Sequence, residues 1–271
     1  MKKSLLHFDP VVKFNRPIVL FSLFLLIFVL ASCDKETCEK DEGQTFRGPE
    51  VTMGNGKANS FFKTCNDGTP LEIGFEMTME AMTGLTQDPT NREQSIFVLP
   101  LDQKALDVTP FDHLVINWQP DGHPPLIFAD PHFDFHLYTI TLAEQIAIPP
   151  YDTASAAKFD LLPPAGFMPA SYVKDPGGVP GQGKHWLDTA ALAAMSSFSH
   201  MMIYGSYAGQ VNLVEPMITL AVLQAGTTVN TFYPQPLYFA KAGKWYPTKY
   251  NIYMDDQTHK HYVTLTDFVE R

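Results

Sequence analysis
Prolines and glycines, 22 and 17 of them, recur along this 271-residue chain. Proline removes a backbone donor and glycine weakens helix and strand through its conformational freedom, so the elements between them are short. What fits best is a series of brief extended runs. Leu71 to Met79 alternates apolar and non-apolar side chains throughout, the period of a half-buried strand. Val51 to Ala58 places Asn55-Gly56 between two short runs, a strong local hairpin signal. Ser95–Leu101, Leu114–Trp118, His132–Thr141, Met201–Tyr204, Gln210–Glu215, Tyr250–Met254 and His261–Thr266 read as further strands. A turn at Asp255-Asp256-Gln257 leaves His259 and His261 expected at the surface.

Helical signals are fewer. Asp188 to Met195 opens on a capping Asp and continues through strong helix formers. Pro216 to Gln224 reads as a helix with proline in its first turn and Ala225-Gly226 as its stop. Phe159 to Gly183 is rich in Pro and Gly and reads as a long surface loop. These signals predict a mainly β (α+β) chain: a single antiparallel β-sandwich or barrel-like domain over residues 49–271, with a few short helices.

The amino terminus sets the compartment. Lys2, Lys3, Lys13 and Arg16 precede an uncharged, mostly apolar run from Pro17 to Ala31. That run is shorter than the ~20 residues a helix needs to cross a hydrocarbon core. It ends in Leu30-Ala31-Ser32-Cys33, which resembles the lipobox of bacterial lipoprotein signals. The expectation is removal of residues 1–32 and lipid on Cys33; an uncleaved anchor and a plain secretory signal are the alternatives. The charged stretch that follows, residues 33–48, reads as an acidic tether. It resembles the acidic stretches of surface-displayed lipoproteins, which implies the outer membrane and a surface location. In an oxidising compartment Cys38 and Cys65 form an even pair, a candidate disulfide worth about 3 kcal/mol, with two free thiols as the alternative.

The leader carries four of the 19 Lys and Arg and one of the 29 Asp and Glu, so the remainder is formally −13. Such a surface disfavours nucleic acid and anionic lipid headgroups. Gly178 to His185 imitates a phosphate-binding loop, but His185 stands where a Ser or Thr would hold magnesium, and no nucleotide partner is expected. Gly205-Ser206-Tyr207-Ala208-Gly209 has the wrong spacing for a nucleophile elbow.

The chemistry concentrates in Pro131-His132-Phe133-Asp134-Phe135-His136-Leu137-Tyr138. On a strand, residues two apart share a face, so His132, Asp134 and His136 point one way and Phe133, Phe135 and Leu137 the other. Two imidazoles and a carboxylate are ligand types for zinc or non-haem iron, so a divalent metal is the expected cofactor. Glu215 is in phase with Val211 and Leu213, on an apolar face where a carboxylate needs a cation or donors. His123 adds an imidazole a few residues upstream. The competing reading is a polar network in which these side chains only hydrogen-bond one another. His113, His185 and His200 read as isolated structural histidines.

Gly122-His123-Pro124-Pro125, Pro131 to Tyr138, Ile203-Tyr204-Gly205 and Glu215 to Thr219 together resemble an uncharacterised bacterial family. It is a domain of unknown function whose structurally studied member belongs to an extracytoplasmic sigma-factor regulon. The resemblance spans about residues 122–219, and His-Phe-Asp-Phe-His is its most specific piece. It implies an envelope-associated protein, allows a homo-oligomer, and groups His132, Asp134, His136 and Glu215 into one site. It implies no reaction. Three functions therefore stay open: a lipid-anchored metal or ligand binder, a metal-dependent hydrolase or oxygenase, and a structural or interaction module.

Overall fold
The computed structural model describes residues 43–91 and 94–271, all within one compact unit. The lipobox, Cys33 and Cys38 lie outside the described residues. Fourteen strands follow in chain order: β1 (Gln44–Arg47), β2 (Val51–Met53), β3 (Gly56–Thr64), β4 (Pro70–Thr78), β5 (Ile96–Pro100), β6 (His113–Gln119) and β7 (His132–Tyr138), then β8 (Tyr172–Lys174), β9 (Lys184–Asp188), β10 (His200–Tyr207), β11 (Gln210–Thr219), β12 (Val229–Phe232), β13 (Trp245–Asp255) and β14 (Lys260–Glu270). Five short helices join them: α1 (Gln103–Val108), α2 (Leu142–Ile146), α3 (Ala156–Phe159), α4 (Thr189–Ala194) and α5 (Leu220–Gln224). No helix among the described residues is long and apolar enough to cross a membrane.

The strands make two antiparallel seven-stranded sheets. The first runs β1-β3-β4-β14-β13-β12, with β2 also on β3; the second runs β5-β6-β7-β11-β10-β9-β8. Neither closes, so the fold is a sandwich. Phe62, Ile73, Phe75, Val263 and Leu265 of the first sheet share one core with Leu114, Ile116, Phe133, Phe135 and Ile218 of the second. Phe75 and Phe135 meet across it edge to face, ring centroids 5.0 Å apart.

Several local expectations change. The β2–β3 turn is Gly54-Asn55, one residue earlier than the Asn-Gly reading, because Gly54 takes the positive φ of +52°. Pro216 does not open a helix. It continues β11, and α5 starts four residues later behind the N-cap Thr219, whose side chain accepts from the Val222 N–H. The stretch over 159–183 is not all loop: Tyr172–Lys174 pairs with β9 at the sheet edge. Gln44–Arg47, assigned to the tether, pairs with β3 and belongs to the first sheet. His261 is buried inside β14 rather than exposed. Cys65 is disulfide-bonded, and the chain's other cysteines fall outside the described residues.

Candidate functional site
β7 alternates as its sequence dictates, yet all seven of its residues are buried. Phe133, Phe135 and Leu137 face the sandwich core. His132, Asp134 and His136 face outward, and their exposures of 0, 2 and 0 % show that the second sheet is covered on its outer face as well. The cover comes from the segments around His123–Phe128 and Asp175–Gln182, which wall a cleft over this face. Two small apolar clusters flank the polar residues: Phe128, Phe198, Met201, Ile203 and Met217 on one side, and Val115, Tyr138 and Leu213 on the other.

Register brings the remaining groups in. β11 pairs with β7 through Leu213 on Tyr138 and Met217 on Asp134, and the same register sets Glu215 beside His136. β6 lays Val115, Asn117 and Gln119 against His136, Asp134 and His132. β10 sets Ile203 opposite Glu215, and β9 sets Leu187 and His185 opposite Ile203 and Gly205. The outer face therefore carries, strand by strand, Asn117 and Gln119, then the His-Asp-His row, then Glu215, then His185.

The distances are short. His132 Nε2 lies 3.2 Å from Asp134 Oδ1, His136 Nε2 lies 3.2 Å from Glu215 Oε2, and His185 Nε2 lies 3.8 Å from the same oxygen. All five atoms are buried, and none has a partner in hydrogen-bond geometry. Their other ends are fixed. The ring nitrogen Nδ1 of His132 sits 2.7 Å from the Asp130 carbonyl, and that of His123 sits 2.8 Å from the Pro124 carbonyl. A carbonyl only accepts, so each Nδ1 carries the proton, and a neutral ring then leaves a lone pair on Nε2. Gln119 Nε2 donates to Asp134 Oδ2 at 2.9 Å, which leaves Oδ1 as the unpaired carboxylate oxygen. His136 Nδ1 lies near the Val115 carbonyl without the geometry of a hydrogen bond.

Electrostatics follow from burial and pairing. Burial alone would lower the imidazole pKa of His132 and His136, but Asp134 beside the first and Glu215 beside the second outweigh it and raise both. Burial pushes Asp134 up, and the surrounding histidines overcome it and hold its pKa below the usual carboxylate range. His185 is the exception: burial dominates and its pKa is lowered, which favours the neutral ring.

All five residues picked from sequence fall in this cluster, in two overlapping groups. His123, His132 and Asp134 form one, and Asp134, His136 and Glu215 the other, with candidate ligand atoms within 4.8 Å of one another in each. These groups can hold a metal ion. Sequence reading missed His185, Gln119 and Asn117. Their only signal is period-two placement on β9 and β6, which no sequence pattern ties to β7. His113 and His200 stay apart, bonded to Asp112 and Gln145 and to Tyr250 respectively.

A family model described as TTHB210-like, hypothetical protein TTHB210, matches residues 66–118. It supports an uncharacterised domain family. The match runs from the turn before β4 into β6, ahead of residues 122–219 on which the sequence resemblance was drawn, and includes none of the His, Asp or Glu of the cluster. No curated protein and no solved structure matches the chain.

Proposed function
We propose that this protein binds a divalent transition metal on the outer face of its second sheet, through His132, Asp134, His136 and Glu215, as a lipid-anchored component of the bacterial envelope. One observation carries the metal reading: five buried polar atoms lie in 3.2–3.8 Å contacts with no hydrogen bond among them. Buried polar atoms in folded proteins are nearly always paired, and leaving one unpaired costs about 1–3 kcal/mol. Atoms bound to one ion at ~2.0–2.2 Å stand roughly 3–3.6 Å apart, side by side and aimed at the ion rather than at each other. Nitrogen and carboxylate donors without thiolate suit zinc or iron(II). The rival network needs Nε2–H of His132 and of His136 to donate to Asp134 and Glu215, and at 3.2 Å neither contact has the geometry of a hydrogen bond.

Elemental analysis of purified protein tests this, wild type beside His132→Ala/His136→Ala. Wild type is expected to retain stoichiometric zinc or iron and the double variant to lose it. Equal, negligible metal in both proteins removes the proposal. The envelope half rests on Leu30-Ala31-Ser32-Cys33 and is tested separately: Cys33→Ser should move the protein out of the membrane fraction, whereas unchanged retention indicates an uncleaved apolar anchor. The cleft beside the cluster, with about 250 Å³ open to water, supports small-ligand access and keeps a hydrolytic or oxygenase activity as the second reading.

A further inference from the structure
We infer that the cluster is two metal positions joined by Asp134: an inner one on Asp134, His136 and Glu215, and an outer one on His123, His132 and Asp134 at the floor of the cleft. This rests on the metal-binding reading above and extends it from one ion to a dinuclear centre.

Span is the first argument. His132 and His136 stand four residues apart on one strand, about 13 Å of backbone, with Asp134 midway. An ion bonded at ~2.0–2.2 Å holds its ligand atoms within roughly 4.4 Å of one another. The two short contacts, His132 with Asp134 and His136 with Glu215, lie toward opposite ends of that span. The ligand-distance groups divide in the same way, sharing Asp134 alone.

Charge is the second. Among the described residues, every ion pair reaching Asp134 or Glu215 comes from a histidine, and no Lys or Arg approaches either. Two carboxylates at 2 and 1 % exposure need compensating cations nearby. His136 and His132 each serve one carboxylate, so each end of the row presents its own mixed nitrogen and oxygen donor set.

Access is the third, and it separates the two roles. His123 and Asp134 of the outer group line the cleft with Asn117, above the fully buried His132; of the inner group, His136 and Glu215 lie behind the cleft wall, to which His185 contributes. The inner group has His185 Nε2 within 3.8 Å of Glu215 as a fourth donor, which closes the coordination shell as in a structural site. The outer group has three protein donors and an open side, the form of a site that keeps a position for water or substrate. Asn117 Oδ1, buried without a partner, faces that same space.

Titration of EDTA-stripped full-length protein with Co²⁺, read by visible absorption and by metal content after gel filtration, tests the pair. Wild type should bind two equivalents and His123→Ala one, with the inner site retained. His123 lies in a partly exposed loop, so its loss leaves the core intact. Glu215→Gln should remove the inner equivalent; if that variant does not fold, the His123→Ala count still decides. One equivalent in wild type overturns the dinuclear centre while leaving single-metal binding in place. Two equivalents in His123→Ala overturn the outer assignment. None in wild type overturns both proposals.

Discussion
Asp134 has its two oxygens in different environments, and Gln119 is the reason. The Gln119 amide donates to Oδ2 and turns Oδ1 toward His132. Side chains that orient ligands in this way typically change metal affinity by about 10–100-fold when removed. Gln119→Leu should therefore weaken metal binding by that factor while the protein stays folded, as read by competition with a chromophoric chelator. Unchanged affinity would show that Gln119 merely fills space. His132 and His123 are fixed by the same logic, each giving its Nδ1–H to a backbone carbonyl. His-Asp-His was readable from sequence because strand period puts the three on one face. Gln119 was not, because its role depends on a register that only the folded sheet supplies.

At the scale of elements, pairing explains both what was foreseen and what was missed. The alternation in β4 and β7 predicted strands, and both exist; β4 was also expected to be half-buried, yet both strands are buried on two faces. Alternation reports which side is apolar, not whether a loop later covers the other side. Pro216 read as a helix start because proline suits a first turn, yet it also tolerates a strand position where its missing N–H leaves no donor unpaired. On the first sheet, Glu76 of β4 ties three strands together. It accepts from Arg47 of β1 at 3.0 Å and pairs with Lys260 of β14, while Tyr262 of β14 donates to it at 3.3 Å. Burial raises its pKa, but the hydrogen bonds and charges of Arg47 and Lys260 win and the net shift is downward. A carboxylate whose pKa is lower folded than unfolded stabilises above the unfolded value, near 4.5, and loses that contribution as pH falls through the folded value. Glu76→Gln should thus lower stability at pH 7 and flatten the decline below about pH 5, measured by urea midpoints across pH. Parallel wild-type and variant curves would contradict this.

For the molecule as a whole, the two sheets divide the work. The shared core between them holds the sandwich, and the outer face of the second sheet, roofed by loops, carries the polar cluster. Sequence established the mainly β class and five of the six clustered residues, but it could not show the roof that buries them. In the proposed envelope location the domain would take its metal from the surroundings, and the bound ion would stabilise the fold by mass action, about 2.7 kcal/mol at a hundredfold excess over Kd. The most direct measurement is anomalous diffraction at the zinc edge from crystals of the zinc-loaded protein. The account predicts a peak ~2.0–2.2 Å from His136 Nε2, Glu215 Oε2 and a carboxylate oxygen of Asp134. A map without a peak there, showing these atoms hydrogen-bonded to one another or to water, would contradict it.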